Sequence, residues 1–207
     1  MGTKAQYIRS SGGRLFRLHA VSGLITGLSA NDVLFAFRNP DTVLPLCLQS
    51  VRAKWRTVAG FTAAQEVAIA AHLVSSFAAT NYASGTDLSN PASSPAYVRR
   101  DSGFGATLTE PRSKSRLVSG NVRISDTGAL THAGSPVIQA APFIWDSYAE
   151  LAAAATVHKG RADIAFDPTD QDELEVGADG GFIIRAPIAL GAGGTGRLSV
   201  EVCWFER

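Results

Sequence analysis

Leu198, Val200, Val202 and Trp204 fall at a strict period of two, with Ser199, Glu201, Cys203 and Phe205 between them. That alternation predicts a terminal strand with one strongly apolar face. Ahead of it, Phe182 to Leu190 is rich in β-branched residues, and the run Gly191-Ala-Gly-Gly-Thr-Gly196 between the two segments predicts a turn. Together they read as a hairpin, and Pro187 in the first arm, unable to donate to a ladder, predicts an edge strand or a bulge there. Leu15, Arg17 and His19 alternate with Phe16, Leu18 and Ala20, and Val33 to Phe37 forms a short apolar strand closed by the Asn39-Pro40-Asp41 turn. The clearest internal pattern is Pro45 to Val58. It places Val51, Ala53, Trp55 and Thr57 on one face and Arg52, Lys54 and Arg56 on the other, a strand with one dry and one cationic side.

Phe61 to Phe77 carries two periods at once. Thr62 with Gln65 matches a capping box, and Val67, Ala70, Ala71, Val74 and Phe77 make a helical stripe. Gln65, Val67, Ile69, Ala71, Leu73 and Ser75 also alternate, and Gly60 offers a hairpin joint to the preceding strand, so we take this segment as strand. Ala78 to Ser115, polar and punctuated by Gly85, Pro91, Pro95, Gly103, Gly105 and Pro111, reads as a long loop, functional or packed on a neighbour. Leu117 to Ile124 returns to a strand pattern, and Val137 to Trp145 is a further apolar patch. Ser147-x-x-Glu150, followed by Leu151 and four alanines, is the best local helix signal. Asp163, Asp167, Asp170, Asp172, Glu173, Glu175 and Asp179 then form an acidic, solvated stretch.

These elements predict an all-β fold, an antiparallel β-sandwich of jelly-roll-like kind, in which sheets carrying Val51, Trp55, Val200 and Trp204 bury their dry faces against each other. Residues 1–13, ending in Ser-Ser-Gly-Gly, read as an N-terminal arm that needs a neighbour to become ordered, and 14–207 as a single domain. Twenty glycines and nine prolines in 207 residues agree with many short strands.

Charge and motifs remove function classes more readily than they add them. Nineteen basic against eighteen acidic residues leave a net charge of +1, no general field for nucleic acid or membrane. No signal-peptide pattern and no bilayer-length apolar run occur, and Gln6 stands where a myristoylation signal needs Ser or Thr, which predicts a soluble chain. Cys47 and Cys203 lie in apolar strand patterns and read as buried unreactive thiols, with a disulfide the minority reading. The 191–196 glycines follow a strand but lead into another strand, so the helix N-terminus of a phosphate loop is missing. His19, His72, His132 and His158 sit in four separate segments without metal-ligand spacing. The 163–179 carboxylates do not follow EF-hand spacing, with calcium kept as an alternative. We expect no enzyme activity, no catalytic residues, no metal and no cofactor. The candidate functional residues are instead cationic: Arg52, Lys54 and Arg56, with the cluster Arg99, Arg100, Arg112, Lys114 and Arg116, able to contact phosphates but, without interleaved aromatics or a basic net charge, suited at least as well to acidic protein surfaces.

Leu48-Gln-Ser-Val-Arg-Ala-Lys-Trp-Arg-Thr57, Gly60-Phe-Thr-Ala-Ala-Gln-Glu66, Gly181-Phe-Ile-Ile-Arg-Ala-Pro-Ile-Ala-Leu-Gly191 and Gly196-Arg-Leu-Ser-Val-Glu-Val-Cys-Trp204 resemble segments of small virion structural proteins of tailed bacteriophages. The likeness runs from about Pro45 to the end and is carried by Trp55, Phe61, Gln65, Phe182, Arg185, Gly191 and Trp204. It implies β-strands, no cofactor, a virion location and an architectural role. That role is capsid decoration or a minor capsid component that self-associates and binds other virion proteins, the major capsid protein first. A neck, tail or fibre position is the alternative. From a different class, a carbohydrate-binding β-sandwich would require exposed aromatics on one face, for which Tyr82, Tyr97 and Tyr148 are the available residues.

Overall fold

A computed structural model describes residues 14–77, 82, 84–88, 97–99, 117, 120–132, 134–150, 161–166 and 174–206. Within them lie strands β1 (Arg14–Val21), β2 (Ile25–Leu28), β3 (Asp32–Arg38), β4 (Leu46–Ala59), β5 (Gln65–Ser76), β6 (Thr86–Asp87) and β7 (Tyr97–Arg99). They continue with β8 (Val122–Ile124), β9 (Val137–Ile138), β10 (Ile144–Glu150), β11 (Arg161–Phe166), β12 (Leu174–Val176), β13 (Gly181–Ala186) and β14 (Leu190–Glu206). The fold is all-β, with two sheets. The first has the order β11-β4-β14-β1-β7, with β12 also on β4 and β2 on β14; the second is β10-β5-β13-β3-β8-β6, with β9 on β5.

The alternation of β4 and β14 sets the first sheet. Val51, Ala53, Trp55 and Thr57 are buried while Arg52, Lys54 and Arg56 are exposed, and Leu198, Val200, Val202 and Trp204 are all fully buried. The two strands run antiparallel over most of their length, with Leu198 opposite Trp55 and Val202 opposite Val51. The expected dry faces are therefore neighbours on one sheet and do not oppose each other. What they meet is the second sheet. Trp204 stacks on Phe16 of β1 at 5.6 Å and takes Phe37 of β3 edge-on at 5.3 Å, and Phe37 stacks on Phe182 of β13 at 5.3 Å. Aromatic pairs of this geometry add about 0.5–1.5 kcal/mol each to the gain from area removed from water.

The C-terminal segments are not a hairpin. β13 lies in the second sheet between β5 and β3, and β14 lies in the first between β4 and β1. Each strand is apolar enough to fill the centre of its own sheet, so the chain crosses the sandwich between Ala186 and Leu190. Pro187 falls just beyond the end of β13; β13 is a central strand and not an edge, but its pairing with β3 shifts register between Ile184 and Arg185, the bulge alternative. The 191–196 glycines are not a turn either. They lie within β14, Gly193 at a positive φ of 91° in the stretch where pairing with β2 shifts register, and at Gly194 and Gly196 the missing side chains make room for rings: a Cβ on Gly194 would come within 2.0 Å of the Phe61 ring. Gly60 likewise joins strands on opposite sheets, since β4 and β5 do not pair.

The ambiguous Phe61–Phe77 segment is strand β5, paired with β13 on one side and β10 on the other, because a central position satisfies both of its backbone edges. Ser147 to Glu150 is strand as well, where a helix start was expected; tertiary pairing with β5 overrides the capping pattern, and Leu151 to Lys159 lies outside the described residues. The long-loop reading is corrected at β6 and β7, which pair with β8 and β1; most of Ala78 to Ser115 is outside the described residues. Of the expected Leu117–Ile124 strand, Val122–Ile124 is β8, Leu117, Gly120 and Asn121 are not strand, and 118–119 lie outside the described residues. Within the acidic stretch, Asp163 and Glu175 stand on strands paired with β4, so the stretch is not one solvated loop. Neither Cys47 nor Cys203 is in a disulfide, and both are buried. The 1–13 arm falls outside the described residues.

Candidate functional site

The outer face of the first sheet gathers the charge. Strand alternation turns Arg17 and His19 of β1, Arg197, Ser199 and Glu201 of β14, and Arg52, Lys54 and Arg56 of β4 away from the core. Register then aligns them in rows across the sheet. His19 stands opposite Glu201 and Glu201 opposite Arg52; Ser199 stands opposite Lys54 and Lys54 opposite Asp163. Arg17 Nη2 donates to Glu201 Oε2 at 2.6 Å, and that hydrogen bond is the main reason the guanidinium is held above its ordinary pKa. Lys54 Nζ lies 3.9 Å from Asp163 Oδ1. Between these side chains runs an open groove of about 300 Å³, lined by His19, Arg52, Lys54, Asp163, Ser199 and Glu201.

One row differs from the others. Arg197 is the direct partner of Arg56, and Arg161 pairs with Arg56 from the other side. Arg56 and Arg197 are exposed, and among the described residues neither makes an ion pair. Like charges directly opposite on neighbouring strands are destabilising, so an anionic partner on this row would relieve a cost already present in the sheet.

The structure thus brings Arg52, Lys54 and Arg56 together as the sequence predicts and adds Arg197, which the reading missed although its parity in β14 was available. The backbone of Arg99 is on β7, opposite Phe16, separated from β4 by β14 and β1. Arg100, Arg112, Lys114 and Arg116 lie outside the described residues.

Two polar groups elsewhere were not foreseen. On the outer face of the second sheet, His72 is buried, its Nδ1 lies 2.9 Å from the Gln139 carbonyl oxygen, and Arg185 Nη2 approaches it at 3.5 Å. Burial, with a smaller push from Arg185, holds His72 below its ordinary pKa, and burial lowers Arg185 too. At the β10 edge, Thr57 Oγ1 lies 2.9 Å from Glu150 Oε2 and 2.5 Å from the Tyr148 hydroxyl, while Trp55 Nε1 donates to Thr57 Oγ1 at 3.3 Å. Burial first, and Glu150 beside it, push the Tyr148 phenol well above its usual value. This network ties β4 of one sheet to β10 of the other.

Among the described residues no three His, Cys, Asp or Glu side chains come together in a metal-binding group. Of the tyrosines named for a sugar-binding face, Tyr82 is buried and Tyr148 half-buried, and the Tyr97 side chain is not among the described residues; among those, the large exposed aromatic is Trp145, 55% exposed. No helix among the described residues is long and apolar enough to cross a membrane. No protein-family model, curated protein or solved structure matches the chain.

Proposed function

We propose that the chain is a non-enzymatic virion structural protein with a jelly-roll fold, a capsid decoration or minor capsid component that binds neighbouring shell subunits. The observation that carries this reading is the nested pairing of the eight principal strands. Taken in chain order as β1, β3, β4, β5, β10, β11, β13 and β14, the first pairs with the last, the second with the seventh, the third with the sixth and the fourth with the fifth. The roll closes where β14 pairs with β4 and β13 with β5. Such a double-sheet roll is a recurrent architecture of viral capsid proteins, as well as of lectins and cupins.

Fold alone does not choose among these. Two features favour the shell role. The space between the sheets is filled by Phe16, Phe37, Phe182 and Trp204, all fully buried, where a cupin-like site needs a polar lumen. The segments Leu48–Thr57 and Gly181–Gly191, which carry the resemblance to phage virion proteins, supply most of β4 in the first sheet and all of β13 at the centre of the second. The basic outer face of the first sheet supplies contacts that set register on an acidic neighbour. The test is imaging of purified particles at side-chain resolution. Density for this chain on the capsid exterior is the expected result; density at the neck or tail keeps the structural role and corrects the address, and absence from particles overturns the reading.

A further inference from the structure

The outer face of the second sheet carries a cation that lacks a counter-charge. Arg185 of β13 stands opposite Ala70 of β5, and Ala70 opposite Trp145 of β10, so the three side chains lie in one row on one face. Arg185 is half-buried and Trp145 is 55% exposed. Among the described residues neither makes an ion pair or a ring contact, and the buried Nε of Arg185 has no acceptor. His72, beside it, supplies none. Its Nδ1 lies 2.9 Å from the Gln139 carbonyl oxygen, which can only accept, so that nitrogen carries the proton and has no lone pair to offer Arg185 Nη2 at 3.5 Å. Glu66, the outward carboxylate of β5, stands four residues from Ala70, about 13 Å along the strand, and does not pair with Arg185.

We propose that Arg185 and Trp145 form a binding site for a carboxylated sugar, the guanidinium gripping the carboxylate and the indole lying against the C–H face of the ring. The charge fits a monoanion. His72 is buried, and burial keeps it neutral in the tautomer its carbonyl partner dictates, so the site presents one positive charge. A phosphate dianion would leave a charge unmet in partly desolvated surroundings, whereas the planar fork of a guanidinium matches a carboxylate with two parallel hydrogen bonds. The spacing fits one ring. Neighbouring strands lie about 4.8 Å apart, which sets the Arg185 and Trp145 Cα atoms about 10 Å apart, and the approach to His72 draws the guanidinium from β13 onto β5, next to the strand that carries the indole. The exposed indole offers an apolar plate with one N–H donor at its rim for a hydroxyl. A peptide is a poorer match. β5 and β13 have both backbone edges paired, so a chain crossing this face finds no main-chain partner, while a sugar acid needs only the plate and the fork. Such a site does not depend on the chain's place in a particle.

The experiment is a nitrogen-15 NMR titration of the full chain that follows the side-chain N–H signals of Arg185 and Trp145. The probes are D-glucuronate, D-glucose, acetate, inorganic phosphate and N-acetyl-triglycine. Both signals should move with D-glucuronate along one curve, with a dissociation constant of about 1 mM, the scale for a ligand of this size. D-glucose and acetate should bind at least about tenfold more weakly, since each lacks one of the two contacts. Arg185→Gln should weaken glucuronate at least about tenfold, read at Trp145, and Trp145→Ala about threefold, read at Arg185. Trp145→Ala alters an exposed side chain, so it keeps the test intact should Arg185→Gln misfold. Absence of any shift at about 20 mM glucuronate overturns the proposal. Equal binding of acetate or phosphate with the Trp145 signal unmoved also overturns it, leaving a bare anion site. Tighter binding of N-acetyl-triglycine gives the face to a peptide carboxylate, and glucose binding as tight as glucuronate removes Arg185 from recognition; either result sinks the sugar-acid assignment.

Discussion

Gly196 lies flat against the indole of Trp55: a Cβ built on Gly196 would come within 2.1 Å of Trp55 Cζ2 and 2.4 Å of Cε2. Trp55 is 1% exposed and packed by its own sheet neighbours, so the ring has nowhere to retreat. The glycine in β14 is therefore a packing requirement, and its partner is the tryptophan at the centre of β4's dry face.

Gly196→Ala is expected to destabilise the fold by about 1–3 kcal/mol through overpacking. Gly177→Ala, where nothing lies within 4 Å of the added Cβ, should stay within about 0.5 kcal/mol of wild type. Chemical denaturation of both variants measures the contrast; equal midpoints would mean that the Trp55 ring is free to move.

Trp204 bridges the sheets through Phe16 and Phe37 and donates its indole N–H to Glu206 Oε1 at 3.0 Å. Trp204→Ala should cost about 3–5 kcal/mol, as for a large aromatic removed from a core. Trp145→Ala removes an aromatic that is 55% exposed and should change the melting temperature as little as an ordinary surface substitution. A thermal melt that ranks the two alike would show that the sandwich is not held at Trp204.

The Thr57 hydroxyl is shared by Trp55, Tyr148 and Glu150 in a buried setting. Thr57→Val keeps the shape but leaves the indole N–H and the carboxylate short of partners, at a cost of about 1–3 kcal/mol. Thr57→Ser keeps the hydroxyl and should lose less. Urea unfolding of the pair separates the hydrogen bonds from the methyl group; a larger loss in the serine variant would assign the effect to packing.

His72 has its pKa lowered from the ordinary 6.5, by burial first, while facing the Gln139 carbonyl and Arg185. In the window between the lowered folded value and 6.5 the unfolded chain binds more protons, so stability falls as pH drops below 6.5 and levels off beneath the folded value. Wild type should therefore melt at progressively lower temperature from about pH 7.5 to pH 5.5, and His72→Gln should flatten that slope. Parallel slopes for the two proteins would remove His72 as the cause.

Alternation alone determined the strands with one wet and one dry face. In β4 and β1 the exposed Arg17, Arg52, Lys54 and Arg56 each sit between residues of the buried face, and a period of two has a single physical meaning there, a half-buried sheet. It also placed Arg52, Lys54 and Arg56 together on the solvent side. Partnership was not local information. Phe61–Phe77 carried helical and strand periods at once, and only its position between β10 and β13, which satisfies both backbone edges, decided for strand; the same pairing overrode the capping pattern at Ser147 and Glu150. The two C-terminal segments looked like a hairpin because they are consecutive and apolar, yet each went to the centre of a different sheet, since two sheets packed face to face bury both. The glycines between them read as a turn because a sequence does not reveal the rings of Phe61 and Trp55 that occupy the missing side-chain volume. Arg197 had a legible parity, but its place beside Arg56 is a matter of register between strands about 140 residues apart in the chain, set by long-range packing of the core beneath them.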